Sequence, residues 1–224
     1  MNFSNDGAKL GIEQYRFAHN FDLKDKSFTI ISDGIKYSIS FIGRDKISFD
    51  SGKGAKSFDS ECLKIEADTY FVRFGNNMAV FEISQGIVTL ILPEGYIFGV
   101  IESPNPVEPG ILHNFTDEMT DTSVRWTLGC FKFTDHVYYC ADKCKASWSP
   151  KEGELMEYPT KYIKIKDGIY LVDITGVVPK GVCAQEGCDR IVTLQDYEHM
   201  MLVGCIFNKS NVMMISGYGD FPDA

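Results

Sequence analysis

ECLKIEADTYFVRF, residues 61–74, returns in outline as KYIKIKDGIYLVDI, residues 161–174. Lys64, Ile65, Tyr70 and Val72 recur as Lys164, Ile165, Tyr170 and Val172 with unchanged spacing. Each copy reads as two short strands meeting at a polar break, so the chain is expected to contain one β-fold built twice. Glu61 heads the first copy and Lys161 stands in its place in the second.

Working outward, strand signals continue on both sides and helical signals are nearly absent. Short alternating runs predict strands near 27–32, 35–42, 45–50, 60–66, 69–75, 78–84, 86–92 and 96–102. A second series is predicted near 123–132, 135–141, 144–149, 160–166, 169–175, 188–194, 200–207 and 211–216. Asp33-Gly34 is a two-residue hairpin signal. In Ile35-Lys-Tyr-Ser-Ile-Ser-Phe41 apolar and polar positions alternate, which marks one wet face. The repeat extends further: Val88-Thr89-Leu90 is matched with Val192-Thr193-Leu194, and Gly99-Val-Ile101 with Gly204-Cys-Ile206. The small drift is assigned to a longer loop between Gly176 and Gly187.

Glu102-Ser-Pro-Asn-Pro-Val-Glu-Pro-Gly110 holds three prolines, which cannot donate to a ladder, and reads as a connector. The expected organisation is an N-terminal segment 1–24, a first barrel 25–104, a Pro-rich connector 105–120 and a second barrel 121–224. The fold class is all-β, an up-and-down barrel in duplicate, since closure removes exposed sheet edges. One larger barrel made of two halves stays open as an alternative.

The 224 residues can bury a sizeable core, and 44% hydrophobic with 24% charged residues is ordinary for a globular protein. A net charge of −9 argues against nucleic acid and against anionic membranes as partners. No apolar run is long enough to span a bilayer. The opening MNFSNDGAKLGIEQYRF lacks a basic segment followed by an apolar core, and the seven cysteines follow no disulfide-scaffold spacing. The expected location is the cytoplasm.

Within residues 60–66, alternation puts Glu61, Leu63 and Ile65 on one face and Cys62, Lys64 and Glu66 on the other. Taking Leu63 and Ile65 as markers of the interior, Glu61 is expected to point inward. Lys161 shares its face with Ile163 and Ile165 in the same way.

His136-Val-Tyr138, Lys151-Glu-Gly153, the run from Tyr162 to Val172, Val178-Pro179 and Val203-Gly-Cys-Ile-Phe207, with Trp148 between the first two, resemble the C-terminal part of the MoaF family. The first half is similar to the N-terminal MoaF domain and, more loosely, to phenolic acid decarboxylases. The resemblance implies a calycin-like, lipocalin-style barrel with an interior ligand cavity. It also implies a link to monoamine use and regulation. Phenolic acid decarboxylases use a barrel-interior Glu and Arg with a tyrosine pair, and no metal or organic cofactor. Glu61 lies about where their glutamate would be. The tyrosine pair would fall near Thr29 and Ile31, and the arginine near Asp50 with Arg44 close by, so the pocket matches better than the reaction does.

A carboxylate in an apolar barrel would have a raised pKa and suit general acid or base work, which nominates Glu61; the plainer reading is a rim carboxylate paired with Arg44, Arg73 or a lysine. Lys161 could hold an anionic ligand or, with a lowered pKa, act as a base; the plainer reading is a solvated lysine at the barrel mouth. His136 and Tyr138, two apart on one strand face, could relay a proton or fix a phenol or amine; a structural histidine is the alternative. Trp126 and Trp148 could stack on a ligand, and Tyr37, Phe41 and Tyr70 could line a cavity, as could Phe28, Phe49 and Phe74, although all fit a packed core.

Cys140-Ala-Asp-Lys-Cys144 with Cys183-Ala-Gln-Glu-Gly-Cys188 is a loose match to a four-thiolate zinc site. On one strand Cys140 and Cys144 would share a face yet lie too far apart to chelate together. No Ser-His-Asp motif, phosphate-binding glycine loop or His-Glu-x-x-His signature occurs. No metal and no cofactor are expected. The expected partner is a small hydrophobic or aromatic molecule, with a homodimer left open. The function expected is cofactor-free lyase, isomerase or cyclase chemistry on that molecule, with a carrier or sensor of a monoamine-type ligand as the alternative.

Overall fold

A computed structural model of the chain describes residues 17–103, 112–128, 134–147, 155–176, 188–208 and 211–221. Among these residues every regular element is a β-strand. None forms a helix long and apolar enough to cross a membrane. Contacts group residues 18–114 as one unit, and Phe17 with the described residues from Phe115 onward as another.

The first unit contains β1 (Ser27–Ser32), β2 (Ile35–Phe41), β3 (Lys46–Asp50), β4 (Lys56–Glu66), β5 (Thr69–Phe74), β6 (Asn77–Glu82), β7 (Ile87–Leu92) and β8 (Gly95–Ile101). Each strand pairs antiparallel with the next, and β8 returns to β1, closing an eight-stranded up-and-down barrel. At the β1–β2 turn, Asp33 and Gly34 have φ of 49° and 76°. Positive φ at both central residues is what a type I′ hairpin needs, and Asp-Gly adopts it at low cost.

The two-residue β9 (Asn114–Phe115) falls at the boundary, and the second unit contains β10 (Thr122–Leu128), β11 (Thr134–Cys140), β12 (Lys143–Ser147), β13 (Met156–Lys166), β14 (Ile169–Thr175), β15 (Cys188–Asp196), β16 (Met201–Asn208) and β17 (Asn211–Asp220). The β10–β17 and β12–β13 pairings close strands β10 to β17 into a second eight-stranded barrel. The expected duplicated barrel is therefore present, as two closed barrels in tandem.

The recurring phrase is the β4–β5 hairpin and its copy β13–β14. Lys64 pairs with Tyr70 and Lys164 with Tyr170, and both hairpins carry a bulge just after the lysine. The later repeat blocks are corrected by the topology. Val88-Thr89-Leu90 lies on β7, the seventh strand of its barrel, whereas Val192-Thr193-Leu194 lies on β15, the sixth of its own. The true counterparts follow from register: Tyr70 faces Phe81 and Tyr170 faces Gln195, so β6 corresponds to β15. Val-Thr-Leu is a common strand tripeptide, and its recurrence carries no register information. The loop 177–187 lies outside the described residues.

The stretches assigned by composition to an N-terminal segment and a connector are partly built into the barrels, and they too are duplicated. Asn20 N–H donates to the Cys62 carbonyl at 2.8 Å, and Thr116 N–H to the Tyr162 carbonyl at 3.1 Å. Asn20 Oδ1 caps Asp22 N–H, as Thr116 Oγ1 caps Glu118 N–H. Three residues on, the chain turns through positive φ at Asp25 and Asp121. Leu23 and Met119, which follow the two acids, are buried in the first and second cores.

This explains why the repeat keeps a lysine and a tyrosine. Lys64 Nζ and Tyr70 Oη both bond Asp22, at 2.8 and 3.2 Å. Lys164 Nζ and Tyr170 Oη both bond Glu118, each at 2.9 Å. These hydrogen bonds hold the Asp22 and Glu118 carboxyls below their ordinary pKa. In each barrel a leader is pinned across one end and inserts an apolar side chain there. The acid–lysine pairs are half-exposed and weakly stabilising, so the apolar plug should dominate. Leu23→Ala is expected to destabilise by roughly 2–5 kcal/mol, with Asp22→Asn shifting the urea midpoint far less; equal shifts would mean that the ion pair, and not the plug, holds the leader.

Candidate functional site

The inward-facing residues of the first barrel form one apolar cluster. Ile30, Ile39, Ile47, Cys62, Val72, Phe74, Ala79, Phe81, Val88 and Leu90 are all buried in it. Phe28, Phe41 and Phe81 meet edge-on or tilted, with centroids 5.3 to 6.1 Å apart, and fill the half nearer the leader. At the other end the packing stops short. A cavity of about 520 Å³ opens there, its inner wall formed by Tyr37, Phe49, Phe58, Leu92 and Ile97. Ile35, Ser51, Lys53, Gly54, Lys56, Asn77 and Glu94 complete its lining. That volume is within the range of small-molecule sites.

Of the residues nominated for the first barrel, Tyr37 lines this cavity, as does Phe49. Phe41 and Tyr70 do not. Phe41 packs in the opposite half, and the Tyr70 hydroxyl is taken by Asp22. Glu61 is corrected outright. It lies opposite Arg73 on the outer face, with Oε2 3.4 Å from both Nε and Nη2 of that arginine. The inward positions of β4 are those of Cys62 and Phe58. The parity reading failed because β4 is apolar on both faces. Leu63 faces outward and is still buried, so it marks no interior.

The second barrel has the same scaffold and a different interior. Register places His136 where the first barrel has Ile39, and Tyr138 where it has Phe41. Thr193, Gln195 and Tyr197 replace Ala79, Phe81 and Ile83. The five are connected. His136 Nδ1 lies 2.8 Å from Tyr138 Oη, to which Gln195 Nε2 donates at 2.9 Å. Gln195 Nε2 also donates to Thr193 Oγ1 at 3.0 Å, and the Tyr197 hydroxyl donates to Gln195 Oε1 at 2.8 Å. Trp126 stands edge-on to Tyr197, seated against Gly219, where a Cβ would come within 2.5 Å of the indole. Two expected residues, His136 and Tyr138, thus meet on one strand face with Trp126 in the same core. Gln195 was missed, although a glutamine in register with Ile191 on an inward face was a readable signal.

Burial sets the chemistry of this cluster. It depresses His136 to about 3, so the imidazole is neutral at ordinary pH. It also raises the Tyr138 and Tyr197 phenols above their ordinary value. A neutral histidine and two protonated phenols make a fixed hydrogen-bonding set. Neither is matched to proton transfer near pH 7, where a useful acid or base has a pKa close to the operating pH.

Lys161 is exposed on the outer face opposite Asp173, with its ammonium 6.0 Å from the Phe115 ring centroid, so it is not an interior residue. Trp148 and Cys183 lie outside the described residues. Cys140 and Cys144 do not share a strand: they end β11 and line β12 on either side of the turn at Ala141 and Asp142. Among the described residues no group of three or more His, Cys, Asp or Glu side chains is placed to hold a metal ion.

No family model matches the chain, and no curated protein matches it. A solved structure of a proposed beta-lactamase from Burkholderia vietnamiensis is similar over 46% of this chain and 94% of that one, at 9% identity and a TM-score of 0.36. A likeness of that size carries no argument about fold or activity.

The depressed His136 pKa has a measurable consequence. Between its ordinary 6.5 and about 3, the unfolded chain binds a proton that the folded chain refuses. Stability is therefore complete above pH 6.5 and is lost as pH falls, at a slope approaching about 1.4 kcal/mol per pH unit. His113, also buried and lowered to about 4, adds a like contribution. His136→Ile, which installs the first barrel's residue, should flatten urea-derived stability against pH by about 1.4 kcal/mol per unit between roughly pH 6 and 4. An unchanged slope would contradict a buried neutral imidazole.

Proposed function

We propose that the chain is a small-molecule binding protein whose first barrel takes an apolar or aromatic molecule in its mouth without reacting with it. The observation that carries this reading is the cavity of about 520 Å³ at one end of an otherwise packed barrel. Its apolar inner wall and polar rim are the usual make-up of a ligand site. The ionisable groups around it, Lys53, Lys56 and Glu94, are solvent-exposed, and among the described residues no buried acid or base faces the space. Glu61, nominated for acid–base work, is bonded to Arg73 on the outer face.

The resemblance to the MoaF family, with its link to monoamine use and regulation, is in keeping with a carrier or sensor. Cofactor-free lyase, isomerase or cyclase chemistry is the second reading. What favours it is the polar set around His136 and Tyr138, for which the first barrel shows the fold has no need. The protonation states that burial imposes on that set weigh against it. Cys62, Cys140, Cys144 and Cys205 are free thiols, which suits the cytoplasmic location we assign.

Nile red, a neutral dye, should bind the purified chain at one site and brighten. Ile97→Trp and Asn77→Trp, which fill the cavity from its inner and outer walls, should each weaken binding by about tenfold or more, with circular dichroism unchanged. His136→Ile should leave dye binding as it is. Dye binding that ignores both tryptophans, or that is lost only with His136, would sink the reading.

A further inference from the structure

We infer that the molecule taken by the first barrel is an amphipathic organic anion, its head group held at the mouth by Lys53 and Lys56. The inference rests on the cavity reading above and adds the chemical class of the ligand.

The mouth is cationic in an acidic protein. Two lysines and one glutamate line the cavity, whereas the whole chain carries a net charge of −9. Most lysines and arginines of the described residues are engaged. Lys36 pairs with Glu102, Lys64 with Asp22, Arg73 with Glu61, Arg125 with Asp135, Lys143 with Glu157 and Arg190 with Asp173. Among the described residues neither Lys53 nor Lys56 makes an ion pair or a side-chain hydrogen bond. The two cations facing the cavity are thus left for something else to neutralise.

Their placement is built. Lys56 lies on β4 in the inward parity of Phe58 and Cys62, opposite Phe49, so its stem rises from the cavity wall. Lys53 sits in the β3–β4 loop, which Asp50 shapes: Asp50 Oδ1 accepts the Gly52 and Gly54 N–H groups at 2.8 and 3.0 Å. Those two glycines have φ of 84° and 95°, a backbone that other residues resist, and Lys53 is carried between them. The Tyr37 hydroxyl, in the same lining, has no protein partner among the described residues and adds a neutral donor. A ligand with an apolar body against Phe49, Phe58, Leu92 and Ile97 and a carboxylate, sulfonate or phosphate head at the lysines satisfies all of these groups. A protonated amine would meet two like charges for each opposite one.

The test compares three fluorescent or competing probes on the full chain: anilinonaphthalene sulfonate as an aromatic anion, neutral Nile red, and phenylethylamine as a competing cation. We expect the anion to bind with a salt-sensitive affinity, and Lys53→Gln with Lys56→Gln to weaken it by about tenfold or more while sparing Nile red. Either single variant should give part of that loss. Unchanged anion affinity in the double variant overturns the head-group assignment, as does displacement of Nile red by phenylethylamine that Glu94→Gln abolishes. If Ile97→Trp fails to block both dyes, the cavity reading itself falls, which separates the two failures.

Discussion

Closure of an antiparallel sheet on itself is the constraint on which everything else here depends. Once eight strands meet in register, every second side chain is committed to one shared interior, and a shift of one residue would exchange the two faces. In the first barrel that commitment sends Cys62, Val72, Ala79 and Leu90 inward as directly opposed neighbours around the ring. It sends Glu61 and Arg73 outward together. A barrel also has two ends that its strands cannot cover. One end of each is crossed by a leader bearing an acid, a plug residue and a positive-φ aspartate. The far end is where a cavity can form.

Two copies of one scaffold in one chain offer an internal comparison. Positions that hold the frame are kept: the Lys–Tyr pair on the leader acid, the bulge after the lysine, the plug. Positions that fill the interior diverge. The first barrel shows that this ring of strands is stable around Ile39, Phe41, Ala79, Phe81 and Ile83. The second buries a histidine, two tyrosines, a threonine and a glutamine in their places. Desolvating such groups costs free energy that their hydrogen bonds only partly return, so an apolar set of the same shape would serve stability as well or better. The polar set is nonetheless closely connected, with Gln195 bonded to three hydroxyls. Connection of that kind fixes side-chain orientation, which a greasy interior does not.

Much of the fold was legible in the residues. Alternation and turn chemistry place nearly every strand within a few positions of its observed ends, because Gly, Asp and Asn interrupt apolar runs at the hairpins. The identity of Lys64, Tyr70 and their copies was legible too, but their partner was not: Asp22 and Glu118 sit 42 and 46 positions away in the chain. The His136–Tyr138 contact could be read because two residues on one strand face are neighbours in any register. Glu61 could not, because β4 carries apolar residues on both faces and parity has no anchor there. The lysines of the cavity rim lie in a loop and at a strand start, where periodicity is silent.

The residues alone determined that this is an all-β chain, that its strand pattern is duplicated, and which hairpin recurs. Those follow from short-range sterics and alternation, which act within a few residues. Closure into two barrels, not one larger one, came from the strand pairing. Tertiary structure alone also decided which face of each strand is interior, where the repeat's true counterparts lie, and that one barrel ends in an open, lysine-rimmed cavity while the other encloses a polar network. Those depend on cross-strand register and closure, which bring together residues whose separation along the chain says nothing about their distance.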